Sequence, residues 1–169
     1  METRFENVTV DTEQVLCSLY SYAQKKGIVR QSILMSVFLV LSLYLSYLLE
    51  SLAFLALAAY YIYLLVKTLN YGRINGKKAY LKRLEYYDNT VPPMTHRFYN
   101  DYFVSSDVDS TNITPYCKIK KVEIKHSMIL ITRKNGEIYH MCDTGFTKGN
   151  VADFCQFIQM KTNMPIIQK

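Results

Sequence analysis

The strongest constraint on the fold is an apolar run over residues 33–66, which reads ILMSVFLVLSLYLSYLLESLAFLALAAYYIYLLV. Glu50 is its only charged residue, and the run contains no Gly, Pro, Asn, Lys or Arg. A bilayer core about 30 Å thick takes about 20 residues of helix to cross. The run is therefore too long for one ordinary span and long enough for two short ones.

The position of Glu50 favours two spans. A carboxylate at the bilayer centre costs about 2.5–3.5 kcal/mol on insertion scales. One long helix would place Glu50 at its middle, whereas spans over about 31–49 and 51–67 place it at the far interface, beside Ser46 and Ser51. Basic residues flank both ends of the run, and such residues mark the cytoplasmic side. The sequence predicts a transmembrane hairpin with both termini in the cytoplasm; the alternative is a buried hairpin in a soluble helical protein.

The excess of positive charge is confined to the segment after the apolar run. Residues 67–83 carry six cations and no anion, whereas residues 84–169 carry ten cations and nine anions. A nucleic-acid-binding protein more typically carries a basic face on its folded domain, so we expect no nucleic acid. The alternatives are a solvated positive-inside anchor and a surface that binds anionic lipid headgroups. The candidate membrane-contact residues are Lys67, Arg73, Lys77, Lys78, Lys82 and Arg83.

Residues 1–30 contain a predicted amphipathic helix that precedes the first span. Asp11 is its expected N-cap, with Gln14 as the capping-box partner, and Gly27 is expected to end it. One side of the helix is apolar and carries Val15, Leu16, Leu19, Tyr20 and Ala23. The helix either lies on the headgroups or packs against the downstream domain, and its low positive charge favours packing.

Residues 68–93 are predicted to form a basic connector that continues the second span as a helix. Gly72 and Gly76 weaken this helix, each by up to about 1 kcal/mol relative to Ala, so the sequence predicts a kink there. Pro92 and Pro93 end it, because proline cannot continue a helix.

Residues 94–169 are predicted to form a β domain with one C-terminal helix. Short apolar or alternating segments over 96–142 indicate strands, and Arg133–Gly136 predicts a hairpin with a type I′ turn because Asn-Gly suits that turn. Asn150 is expected to begin a helix that reaches about Lys161. The predicted fold class is an α+β membrane protein, in which a two-helix transmembrane hairpin carries a small antiparallel β domain closed by an α-helix.

Candidate catalytic groups do not converge in the sequence. His140 and Cys142 share one face of a predicted strand, but a zinc site usually takes a second close pair of ligands, and neither His96 nor His126 supplies one. The four cysteines form no CxxC pair, and a cytoplasmic location favours free thiols. We therefore expect no enzyme activity, no metal and no cofactor.

The densest basic group of the β domain is Lys118, Lys120 and Lys121, followed by Lys125. In a regular strand Lys118 and Lys120 would share one side and Lys121 and Lys125 the other. The alternatives are a solvated edge and a surface for anionic lipid or an acidic partner. We take Lys118, Lys120 and Lys121 as candidate partner-binding residues.

The order of these segments resembles the YcxB-like family of bacterial membrane proteins. The resemblance covers nearly the whole chain, and downstream it depends on Phe98–Phe103 (FYNDYF), Tyr116–Val122 (YCKIKKV) and Gly145–Gly149 (GFTKG). It implies a C-terminal domain similar to the pleckstrin-homology-like fold, a bacterial inner membrane location, no established activity and no catalytic residues. Family members often carry a Trp near the second segment, and this chain has none.

Two hypotheses for function follow. The first is a non-enzymatic, membrane-anchored interaction domain that binds a membrane or cytoplasmic protein, or a second copy of itself. The second is a subunit of a small homo-oligomeric transport or channel-like assembly, in which Glu50, Ser36, Ser42 and Ser46 would matter. Simple helix packing through the small residues is the alternative explanation of these serines and of Ala53, Ala56 and Ala59.

Overall fold

A computed structural model describes residues 2–125 and 127–168, which fold into two compact units. The helical unit comprises Thr12–Glu85, and the β unit comprises Met1–Asp11 together with Tyr86–Lys169. These units differ from the predicted segments, because the first eleven residues belong to the β unit rather than to a segment with the N-terminal helix. The chain therefore leaves the β unit once and returns to it once.

The helical unit consists of two long helices, each interrupted at one residue. The elements are α1 (Glu13–Ala23), α2 (Lys25–Leu49), α3 (Leu52–Leu69) and α4 (Tyr71–Tyr86). Helical hydrogen bonds continue across both interruptions, because Ile28 N–H donates to the Gln24 carbonyl at 2.8 Å and Ile74 N–H donates to that of Asn70 at 2.9 Å. The expectation that Gly27 ends the first helix is wrong; Gly27 lies inside α2, where one glycine costs only about 1 kcal/mol.

The predicted helical hairpin is confirmed as a pair of packed helices, α2 and α3. Both are long and apolar enough to cross a membrane, and a turn at Glu50 in the left-handed conformation joins them. Ser42 and Ala58 are buried within the pair, and Phe38 stacks on Tyr61 with ring centroids 5.5 Å apart. Ala53, Ala56 and Ala59 are instead exposed.

The β unit contains two sheets and a helix. One sheet has the order β4-β3-β2-β1-β8 and the other β7-β6-β5-β9, with every pairing antiparallel except that of β5 with β9. The strands are β1 (Phe5–Thr9), β2 (Met94–Phe98), β3 (Tyr102–Ser106), β4 (Thr111–Pro115), β5 (Ile119–Lys125), β6 (Met128–Arg133), β7 (Ile138–Cys142), β8 (Phe146–Lys148) and β9 (Ile167–Gln168). The predicted α+β class with antiparallel sheets is thus confirmed.

The C-terminal helix α5 (Val151–Thr162) completes the core of the β unit. Asn150 is its N-cap, as expected, and its Oδ1 accepts a hydrogen bond from the Asp153 amide at 2.9 Å. Phe154 and Ile158 are fully buried, and the Phe154 ring lies edge-on to Phe98 at 4.7 Å. Burying a large apolar side chain contributes about 1.5–3 kcal/mol, so this face fixes the helix to the strands.

The β6–β7 hairpin differs from its predicted turn type. Gly136 has φ 92°, whereas Asn135 is not among the residues with positive φ, and a type I′ turn needs positive φ at both. Arg133 N–H donates to the Glu137 carbonyl at 2.8 Å and Gly136 N–H to that of Arg133 at 3.0 Å. The loop therefore has three residues with glycine at its left-handed position, another common hairpin connection.

Candidate functional site

The predicted membrane-contact residues lie at one end of the helical unit. Lys67 is in the last turn of α3, and the others are in α4. All six side chains are exposed except that of Arg83, which is half-buried. The N-terminal part of α2 adds three further exposed cations from the other long helix, which are Lys25, Lys26 and Arg30.

Two glycines bring α1 and α4 into backbone contact. A Cβ atom placed on Gly76 would lie 2.5 Å from the Cys17 backbone nitrogen, and one on Gly72 would lie 2.9 Å from the Cα of Ser21. Small residues four positions apart let two helices approach this closely. Helix α1 therefore packs against α4, an arrangement that neither predicted placement of α1 included. The Gly-x-x-x-Gly spacing was the signal in the sequence.

A β-bulge determines where the candidate partner-binding lysines lie. Ile119 pairs with Arg133 and Lys121 with Thr132, so Lys120 is an extra residue in β5. The bulge lets Ile119 and Val122 both reach the core, although they are three residues apart. The expected alternation of the lysines along a regular strand is therefore wrong.

The three lysines have different surroundings. Lys118 belongs to a 3₁₀ turn (Tyr116–Lys118), and its side chain, like that of Lys120, is exposed. Lys121 Nζ lies 2.7 Å from Oε2 of Glu123, a residue that is almost fully buried. Lys118 and Lys120 can therefore meet a partner, whereas Lys121 is engaged within the β unit.

His140 and Cys142 take part in a buried polar network. His140 Nε2 donates to Oδ1 of Asp11 at 2.5 Å, and both side chains are buried. The prediction that Asp11 caps α1 is wrong, because its carboxylate binds His140 and the Thr12 hydroxyl accepts from Val15 N–H at 3.3 Å instead. Sequence reasoning missed this contact, which joins residues 129 positions apart.

His96 lies inside the β unit next to this pair. Its Nε2 donates to the His140 carbonyl at 3.0 Å, while its buried Nδ1 has no hydrogen-bond partner among the described residues. Burial, helped by the charge of His140, lowers the pKa of His96 from its usual 6.5 to about 4. His96 is therefore neutral at physiological pH, with a proton on Nε2.

Asn7 and Thr9 join the two sheets through Cys142. Asn7 Nδ2 donates to the Cys142 carbonyl at 2.7 Å, and the Cys142 amide donates to Thr9 Oγ1 at 2.9 Å. Thr9 Oγ1 in turn donates to Asn7 Oδ1 at 2.8 Å. These side chains replace a backbone ladder between β1 and β7, and burial raises the pKa of the Cys142 thiol. The Cys142 backbone thus links β7 to β1, and the raised pKa of its thiol disfavours the reactive thiolate.

No metal-binding group of three or more His, Cys, Asp or Glu side chains occurs within residues 2–125 and 127–168. His126, the third histidine of the chain, lies outside the described residues. The polar network around the other two histidines is buried: His96 Nε2 bonds to the His140 carbonyl, and His140 Nε2 bonds to the Asp11 carboxylate.

No protein-family model and no curated protein sequence matches the chain in comparisons with known proteins. The resemblance to the YcxB-like family, and the pleckstrin-homology-like fold that it implies, therefore stay predictions.

Proposed function

We propose that the chain is a membrane-anchored, non-enzymatic interaction protein of the bacterial inner membrane. In this proposal α2 and α3 cross the bilayer, both termini lie in the cytoplasm, and the β unit binds an acidic protein partner at the membrane surface. Each part of the proposal has its own support in the described residues.

The pairing of β1 with β2 is the observation that best supports the proposed two-span topology. Phe5 pairs with Phe98 and Thr9 with Met94, on either side of the helical unit. Strands that share hydrogen bonds lie in one compartment, so the chain crosses any membrane an even number of times between residues 9 and 94. Two apolar helices occur in that interval. An even number of crossings favours the same hairpin as the positive-inside rule, and strand pairing alone gives that even number.

The surface of α2 and α3 supports insertion into lipid. Almost no residue of either helix is buried, and large apolar side chains such as Val40 and Leu52 are 66% and 82% exposed. Soluble proteins rarely expose continuous apolar patches beyond a few hundred Å². A buried hairpin in a soluble protein, the alternative weighed from the sequence, would instead place these side chains in its core.

The serines of the hairpin favour packing over a pore. Ser42 Oγ donates to the Phe38 carbonyl at 2.8 Å, and Ser46 Oγ donates to the Ser51 carbonyl at 3.3 Å. The Ser42 hydroxyl thus binds the backbone of its own helix, and the Ser46 hydroxyl binds the backbone at the start of α3, so both have a partner within the pair. These contacts favour the interaction protein over the transport assembly.

The test is gentle extraction of the full chain from its native membranes, followed by light scattering and mass spectrometry. We expect a stoichiometric second protein, and we expect Lys118→Glu combined with Lys120→Glu to remove it. Lys134→Glu, an exposed lysine in the β6–β7 loop, is the matched control and should retain it. A homogeneous ring that contains this chain alone would contradict the proposal and favour the transport assembly.

A further inference from the structure

The two long helices are interrupted within two helical turns of each other along the helical unit. Ser21 lies against Gly72, and Cys17 lies against Gly76. At 1.5 Å per residue, Gln24 is about 4.5 Å beyond Ser21 and Asn70 is about 3 Å before Gly72. Counted from this contact the two interruptions are about 1.5 Å apart along the helices, and counted from the stack of Phe38 on Tyr61 they are about 7.5 Å apart. They therefore lie within two turns of each other, one in each helix, and both are at residues with polar amide side chains.

Exposed cations surround the two interruptions. Lys25 and Lys26 follow Gln24 directly, and Lys67 and Arg73 lie three residues on either side of Asn70. We call these four residues the basic collar. Between residues 14 and 84 the only carboxylate is Glu50, at the opposite end of the hairpin. Neighbouring acidic side chains on the helices therefore do not neutralise the collar.

The residues next to the collar, on the apolar side, are those of a bilayer interface. Arg30 is about 9 Å beyond Gln24 and Tyr63 is about 10 Å from Asn70 in the same direction, and both are exposed. Long basic side chains extend towards headgroups, and tyrosine is enriched at membrane interfaces. The collar thus lies at the depth where lipid phosphates would be.

We propose that the basic collar is a binding surface for the phosphate groups of anionic phospholipids. This inference rests on the proposed function, because it requires α2 and α3 to be in a bilayer. It goes beyond a general positive-inside anchor, since it assigns selectivity to four residues from two helices held together by Gly72 and Gly76. Each cation near an anionic membrane surface adds about 1 kcal/mol of binding free energy. Salt weakens this attraction, because it screens the charges.

The experiment reconstitutes the full chain in phosphatidylcholine vesicles and measures the association of spin-labelled phosphatidylglycerol relative to spin-labelled phosphatidylcholine. We expect about a fivefold preference for phosphatidylglycerol at low salt, the size expected for one net cation contact, and its loss in high salt. A variant that combines Lys25→Gln, Lys26→Gln, Lys67→Gln and Arg73→Gln should lose the preference. The control variant combines Lys134→Gln with Lys161→Gln, two exposed lysines of the β unit, and should keep it.

The outcomes separate this inference from the proposed function. A motionally restricted lipid population with no headgroup preference would overturn the inference and leave the membrane anchor in place. A chain that alkaline carbonate removes from the vesicles would overturn both. A preference that survives the collar variant would also overturn the inference, because the selectivity would then come from other residues. Circular dichroism of each variant checks that its helices are retained.

Discussion

The side chains of His140 and Asp11 meet with Nε2 and Oδ1 2.5 Å apart, and both are buried in the β unit. Asp11 is the last residue of that unit before the chain enters the helical unit, and Thr12 immediately after it caps α1. The contact therefore fixes the end of β1 against β7 at the point where the helices begin.

Removing the Asp11 carboxylate should destabilise the β unit strongly. We expect Asp11→Ala to lower the free energy of unfolding by about 3 kcal/mol, because it leaves a buried imidazole without its partner. Denaturant unfolding of the full chain in detergent measures this. Asp153→Ala, at an exposed position, is the control and should lower the free energy of unfolding by less. A double-mutant cycle that combines Asp11→Ala with His140→Ala should give a clear coupling energy between the two side chains. An Asp11→Ala variant as stable as the wild type would contradict this account.

The stability of the β unit should fall in mild acid because of His96. Its pKa is about 4 in the folded chain and about 6.5 when unfolded. The unfolded state therefore binds more protons between these values, so the stabilisation is fully present above pH 6.5 and is lost as the pH falls towards 4.

The size of this effect is up to about 3 kcal/mol, from the pKa difference. Unfolding free energies at pH 7.5, 5.5 and 4 should show the decline, and His96→Gln should flatten it. The comparison is between the variant and the wild type at each pH. Parallel curves for the two proteins would show that His96 does not cause the decline.

The glycines of α4 and α2 should respond in opposite directions to alanine. Alanine favours an isolated helix over glycine by about 1 kcal/mol. At Gly76 the added Cβ would lie 2.5 Å from the Cys17 nitrogen, an overpacking that costs about 1–3 kcal/mol. At Gly27 its nearest neighbour is the flexible Gln24 Oε1 at 3.3 Å. Thermal unfolding should show Gly76→Ala to be destabilised and Gly27→Ala to be unchanged or stabilised; equal shifts would refute the close contact.

Three of the four thiols, those of Cys117, Cys142 and Cys155, should differ in reactivity. Cys117 is exposed, whereas burial raises the pKa of Cys142 and of Cys155. Because the thiolate is the reactive form, iodoacetamide should modify Cys117 well before the other two. Peptide mass spectrometry of the folded chain over time measures the order. Equal rates at Cys117 and Cys142 would contradict the described burial.

Local patterns in the sequence were enough to predict most elements of the β unit. The alternation in β5 and the apolar β-branched residues of β6 predicted two strands, and Asn150 predicted the start of α5. The pairing of β1 with β2 was not predictable, because Phe5 and Phe98 are far apart and five residues carry too little periodicity to select a partner. The bulge at Lys120 has no glycine to mark it, so a regular strand was predicted.

The candidate site was predictable in composition but not in arrangement. The basic residues stand out in the sequence, yet the level at which the two helices bring them together depends on contacts between Ser21 and Gly72. A glycine that weakens an isolated helix is also the residue that admits a neighbouring backbone. Whether Gly72 and Gly76 weaken α4 or admit a neighbouring backbone depends on whether α1 packs there. The sequence of α4 by itself does not show that α1 is the neighbour.

The central claim is that the hairpin crosses a membrane and leaves both termini in the cytoplasm. Two single-cysteine variants test it, with the other native cysteines replaced by serine: one keeps Cys117 and the other carries Ser51→Cys at the turn. In intact spheroplasts, a membrane-impermeant maleimide should label residue 51 and should label Cys117 only after lysis. Labelling of both residues in intact spheroplasts, or of neither before lysis, would contradict the account.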